Sequence, residues 1–344
     1  MGKKFKAISL LLVGILVMFL AACGGTSDEE SGDETAAESN EEVIEINIAH
    51  GNQPTEPVGQ QGDKWKELVA EKSEGKVKVN VYPSSQLGAE KDVVEQAIAG
   101  NNVIIFTGYD FLMDYVADAG ILTAPYLTED YESLLKLTES EWFADLEQRI
   151  NDEGIEIVNT NTIYGTRHLM TNDPVTSIED LEGMKIRVPN NQMYIKTFES
   201  LGAAPTPLPL TDLYSSLQQG LIDGAENPLP VLEGAKVNEV SKHLTLTEHT
   251  KIMSPWIAGT SFIETLPEDV VQLLKETGIE AAEYGNQIME EQSEQVLETF
   301  KEQGVEVHEV DLAEFREKAE AVYTAFPEWT EGLYETVKAE LDKQ

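Results

Sequence analysis

Cysteine is almost absent. Cys23 is the one cysteine among 344 residues, which excludes an intrachain disulfide, a cysteine-built zinc site and a thioredoxin-like pair. Positive charge is scarce too: Lys and Arg number 24 against 63 Asp and Glu, for a formal net charge of −39. Such a field repels a phosphate backbone, so nucleic-acid binding is excluded. The five histidines, His50, His168, His243, His249 and His308, form no helical i, i+4 pair and have no cysteine partner. No bound metal or other cofactor is therefore expected. The chain also lacks a P-loop, a dinucleotide glycine triplet, a nucleophile elbow and a calcium loop, and nothing in it requires an enzyme. Outside residues 7–22 it has no long apolar run.

That one run is informative. Lys3, Lys4 and Lys6 precede sixteen uncharged residues, Ala7 to Ala22, which end in Leu20-Ala21-Ala22 directly before Cys23. A charged n-region, an apolar h-region and a small-residue cleavage site follow in order. Sixteen residues fall short of the roughly twenty needed to span a bilayer. The stretch resembles a bacterial lipoprotein signal, which implies removal of residues 1–22, lipidation of Cys23 and an extracytoplasmic body anchored to the cell membrane. Residues 24–42 hold eight acids and no base, so 23–42 should act as an acidic, disordered tether.

The rest is ordinary globular material, with 41% hydrophobic and 25% charged residues overall,. Val43, Ile46 and Ile48 open a strand, and Trp65, Leu68 and Val69 share a helical face. Val77, Val79 and Val81 alternate as a second strand. Val93, Val94, Ala97 and Ile98 form a helical stripe before a third strand at Val103 to Phe106. Helices are expected at 131–150, 194–201 and 213–217, and strands at 155–158 and 184–188. This alternation predicts an α/β fold of βαβ units with mainly parallel sheets, in two lobes. Residues 267–301 carry Val270, Leu274, Ala281, Tyr284 and Ile288 at helical spacing. At 1.5 Å per residue the segment reaches roughly 50 Å, enough to bridge both lobes, unless Gly278 or Gly285 breaks it in two. Lobe I is expected to comprise 43–163 plus about 252–290, and lobe II 164–251 plus about 291–344.

Only four arginines occur. Arg167 lies in Tyr164-Gly165-Thr166-Arg167-His168. Arg187 lies near the end of an inner strand, where ligands meet α/β sheets. A guanidinium there can grip a carboxylate through two parallel hydrogen bonds, or can simply serve a surface ion pair.

Tyr82-Pro83-Ser84-Ser85-Gln86-Leu87-Gly88, Gly165-Thr166-Arg167-His168 and the run from Asp180 to Asn190 resemble the solute receptors of TRAP transporters. So do Leu201 to Pro209 and Leu217 to Pro228, in order along the chain. The resemblance implies a two-lobed periplasmic-binding-protein-like fold (class II-like) that closes over an organic acid. It further implies a monomeric, non-catalytic receptor that hands this carboxylate ligand to the small and large membrane subunits of an ion-driven permease. By the same likeness Arg187 would be the carboxylate clamp, Arg167 a second donor, and Asn190 and Asn227 would orient the ligand. From local pattern alone, Asn190 could instead cap a helix and Asn227 could be a pre-proline turn residue. Leu210 stands where many relatives place an aromatic residue. Gly51 and Gly108 stand where the sialic-acid branch has polar residues, while Glu90 matches an acidic position of that branch. Asn52, Tyr109, Asp110 and Trp256 are further pocket candidates in the first lobe. The ligand stays open among dicarboxylates, acidic sugars and keto acids. Competing readings are a receptor for an ATP-driven sugar importer, an exported enzyme acting on acidic sugars, and an accessory receptor of a sensor.

Overall fold

The computed structural model describes residues 43–343. The leader, Cys23 and the acidic tether lie outside them. Among the described residues no helix is long and apolar enough to cross a membrane.

Nine strands build one sheet: β1 (Ile44–Ala49), β2 (Val77–Tyr82), β3 (Ile104–Phe106), β4 (Ile155–Thr171), β5 (Lys185–Val188), β6 (Ala204–Pro207), β7 (Gly224–Pro228), β8 (His243–Gly259) and β9 (Glu306–His308). Their order is β2-β1-β3-β8-β4-β7-β5-β6, with β9 beside β8. The first lobe is the expected βαβ arrangement. β1 lies parallel to β2 and β3, and helices Pro57–Lys72 and Glu90–Ile98 form the crossovers. The second lobe repeats it, with β5 parallel to β6 and β7.

The centre is the antiparallel part of this mainly parallel sheet. β4 and β8 are 17 residues each and run antiparallel from one lobe into the other, β8 holding β3 and β4 holding β7. Only the first residues of β4 were legible as a strand. Its pairing with β8 carries register shifts at four places between Ile157 and Leu169. Each bulge resets which side chains face inward, so the period-two signal is erased.

Helix Glu268–Glu302 is unbroken over 35 residues. Its glycines admit a neighbour rather than end it. A Cβ on Gly285 would lie 2.9 Å from the Gln61 Cβ and one on Gly278 3.1 Å from the Trp65 ring, so helix Pro57–Lys72 packs close. Trp65 Nε1 donates to Thr277 Oγ1 at 3.0 Å. Val270, Leu274 and Ala281 join a first-lobe core with Ile46, Ile48 and Trp256. Val296 and Phe300 join a second-lobe core with Leu213, Leu217 and Leu244, so the helix spans both lobes.

One boundary read from sequence changes. Phe315 and Ala319 pack in the second lobe, but Val322, Phe326, Leu333, Val337 and Leu341 return to the first, against Leu134, Leu137 and Leu146. The chain is pinned there by Trp329 Nε1 donating to the Ala117 carbonyl at 2.9 Å and by Thr330 Oγ1 donating to Asp118 at 2.6 Å.

Candidate functional site

The carboxyl ends of the parallel strands of both lobes point into one cleft, the position that α/β sheets reserve for ligands. Gly51 and Asn52 follow β1, Ser85 follows β2, and Gly108 and Asp110 follow β3. Arg187 and Asn190 come from the end of β5, Leu208 to Leu210 follow β6, and Asn227 lies in β7. Tyr164 and Arg167 of β4 and Ser254 of β8 form the floor. The cleft is a cavity of about 170 Å³. With roughly 10–15 Å³ needed per water, it takes on the order of a dozen non-hydrogen atoms, the size of a small organic acid.

Arg187 is 3% exposed. Its Nε and Nη2 donate to the Leu208 carbonyl at 2.9 and 2.6 Å, and no carboxylate among the described residues forms an ion pair with it. Burial without a paired anion pulls this guanidinium down to about 10,.

Arg167 is differently placed. Its Nε and Nη2 donate to the two oxygens of Glu226 at 2.5 and 2.6 Å, and its guanidinium lies 4.5 Å from the centre of the Tyr194 ring. Glu226 is fully buried and His249 Nε2 sits 3.1 Å from its Oε2. Burial alone would raise the Glu226 pKa, but the Arg167 charge and the hydrogen bonds from His249 and Arg167 outweigh it and hold the carboxyl below its usual range. Lys91, at the mouth, is paired with Asp114 at 2.7 Å. Among the cations that line the cleft, Arg187 alone lacks a carboxylate partner.

The remaining lining is polar and acidic. Asn227 is buried with its Oδ1 unpartnered. Asn190 faces the cleft, and the cap of helix Gln192–Ser200 is its neighbour Asn191, which accepts from the Tyr194 N–H at 3.1 Å. The Asn191 amide also donates to Asp110 Oδ2 and so ties the two lobes across the cleft. Burial, reinforced by the nearby Glu90 charge, pushes Asp110 up to about 7. Glu90 accepts from Thr107 Oγ1 at 2.8 Å and from the Gly108 N–H at 3.3 Å, and burial raises its pKa as well. Leu210, with Leu208 and Pro209, supplies an apolar wall.

Two candidates read from sequence do not reach the cleft. Tyr109 is fully buried edge-on to Phe143 at 6.1 Å; on the single turn Tyr109–Leu112, Asp110 and Phe111 line the cleft and Tyr109 joins the core. Trp256 is fully buried against Trp65 and Phe106, each at 5.3 Å. Both side chains carry too much apolar surface to leave a core that accommodates them. Sequence reasoning missed Glu226, His249, Tyr164, Tyr194 and Asn191. Glu226 stood inside a quoted motif, where a single acid among 63 carries no signal.

Asn52 donates to Glu56 Oε2 at 2.6 Å and to the Tyr164 hydroxyl at 3.2 Å. Burial pushes Glu56 from its ordinary 4.5 up to about 8. An acid whose folded pKa is raised keeps its proton longer when folded, so stability falls as pH rises from the unfolded value through about 8. Glu56→Gln removes this penalty and keeps an acceptor for Asn52. Its Tm should exceed the wild-type value near pH 9 and converge with it near pH 5; an offset independent of pH in thermal melts would contradict a buried titrating acid.

A profile of the family described as bacterial extracellular solute-binding protein, family 7, matches residues 48–328. The sialic acid-binding periplasmic protein SiaP of Vibrio cholerae is 34% identical over 187 residues, which cover 53% of this chain and 57% of that one. A TRAP periplasmic solute binding protein from Ochrobacterium anthropi with bound L-fuconate is 43% identical and superposes with a TM-score of 0.85 over 87% of this chain and 99% of its own. A second, from Actinobacillus succinogenes with bound L-galactonate, is 42% identical with a TM-score of 0.86 over 88% and 100%.

Proposed function

Because the chain belongs to family 7 of the bacterial extracellular solute-binding proteins, we propose that it is the receptor of a TRAP transporter that captures a monocarboxylic sugar acid between its lobes and delivers it to the permease subunits. The members of this family are receptors and not enzymes. The observation that carries the ligand class is the unmatched, buried Arg187. One desolvated guanidinium without an anion needs one carboxylate, and a bidentate pair is its best partner. A dicarboxylate would need a second free cation, and Arg167 is already neutralised by Glu226.

The rest of the cleft supports a polyhydroxylated chain. Asn52, Ser85, Asn190, Asn227 and Ser254 offer amides and hydroxyls, while Glu90 and Asp110 accept from hydroxyl groups,. The two similar structures hold L-fuconate and L-galactonate. Sialic acid fits the reading poorly, since Gly51 and Gly108 line the cleft and bring no side chain where that branch has polar ones.

Mass spectrometry of the ligand released from denatured protein, followed by calorimetric titration of the refolded receptor, tests the assignment. A six-carbon aldonate should be released and rebind, and succinate should not compete. Release of a dicarboxylate would overturn the ligand class.

The receptor is further proposed to act as a monomer held on the outer face of the cell membrane by lipid on Cys23. Cys23→Ala should move it from the membrane to the soluble fraction, since no apolar run follows; a variant that stayed membrane-bound after leader cleavage would refute the anchor.

A further inference from the structure

Beside the cleft-lining groups, the sheet assembles a second cluster at the far edge of the second lobe. β8 and β9 run parallel, with His243 opposite Glu306 and Thr245 opposite His308. Side chains two apart on a strand share a face, so Glu306 and His308 project together, and both meet His243. His243 Nδ1 lies 3.1 Å from His308 Nε2 and 3.6 Å from Glu306 Oε2. The two rings stack at 5.3 Å between centroids, and one donor atom from each of the three residues lies within 4.8 Å of the others. The histidines are half-buried and Glu306 is exposed, which leaves the cluster open to solvent.

We propose that His243, Glu306 and His308 form a site for a divalent transition-metal ion of the zinc class. A tetrahedral zinc with bonds of about 2.0–2.1 Å places neighbouring ligand atoms roughly 3.3 Å apart, and two imidazoles with one carboxylate are a zinc donor set that leaves the fourth position to water. The observed 3.1 and 3.6 Å separations bracket that spacing. Magnesium and calcium prefer all-oxygen shells, so the imidazoles select against them. Binding needs a lone pair on each of the two facing nitrogens, which the neutral imidazole offers when its N–H sits on the other ring nitrogen. The bound ion would clip the three-residue β9 to β8 and, through it, the end of the long helix to the second lobe. Histidines 65 residues apart escape any motif of local spacing, because only strand pairing brings them together.

The test is zinc titration of the full chain in millimolar magnesium, which saturates diffuse binding to the acidic surface, together with cobalt absorption spectra and thermal melts. The wild type should bind one zinc equivalent, show the d–d bands of a four- or five-coordinate cobalt site, and melt higher with zinc. His243→Asn and His308→Asn should each weaken zinc by more than the roughly 10–100-fold that loss of a merely supporting partner costs. Glu306→Gln, at an exposed position, should weaken it less and shrink the rise in Tm without abolishing it. Zinc displaced by magnesium in the wild type, or unchanged affinity in Glu306→Gln and in whichever histidine variants fold, would overturn the site.

Discussion

Arg187→Ala should weaken binding of the sugar acid by roughly two to four orders of magnitude, because removing one partner of a desolvated ion pair typically costs about 3–5 kcal/mol. The argument rests on what surrounds the guanidinium. It is 3% exposed, satisfied on one side only by the Leu208 carbonyl, and without an ion-pair partner. In the free receptor the group is therefore an unneutralised buried cation, which the ligand carboxylate relieves. The variant loses that gain, yet its fold should be unharmed or slightly more stable, since the uncompensated charge has gone. Arg187→Lys keeps the charge and loses the planar fork, and should bind distinctly worse than wild type. Titration calorimetry with the released ligand, paired with thermal melts of the free protein, separates the two effects. Near-native affinity in a folded Arg187→Ala would remove the clamp from the mechanism.

Arg167→Ala should act mainly on stability, lowering it by about 3–5 kcal/mol, on the order of 10 °C in Tm. Its partner Glu226 is fully buried and would lose its ion pair, keeping a side-chain hydrogen-bond partner only in His249. The pH dependence identifies the cause. In the wild type the folded Glu226 pKa is depressed, so the pair contributes stability above the unfolded value near 4.5 and loses it as acid titrates the folded carboxyl. Without Arg167, burial dominates, the Glu226 pKa rises, and a protonated Glu226 needs no cation. The deficit should thus be largest near pH 8 and shrink toward pH 5. A deficit uniform in pH, or lost binding with an unchanged Tm, would make Arg167 a ligand contact and not the counter-ion of Glu226.

The sequence was legible wherever one face of an element meets one environment. Alternating Val77, Val79 and Val81 marked β2, and Val270, Leu274 and Ala281 marked the interlobe helix, because burial on one side writes the element's own period into the chain; Tyr284, read into the same stripe, is exposed. The ordered motifs around Arg187, through their resemblance to a known family, also indicated the receptor class, and Arg187 does line the cleft. What the sequence could not express was contact between distant segments. β8 was not recognised, and β4 only at its start, since both cross from one lobe to the other and bulges scramble their alternation. With β8 unseen, His249 could not be placed against Glu226, and the ion pair between Arg167 and Glu226 could not be foreseen. Asn190 and Asn191 differ by one position, and only the helix start decides which caps and which faces the cleft. Tyr109 and Trp256 looked like pocket residues by neighbourhood, yet the core took them. Periodicity determined the fold class and most of the elements, because these depend on local burial. Tertiary structure alone decided which of two arginines is left with an unsatisfied charge, because charge compensation is a property of residues that meet only when the chain is folded.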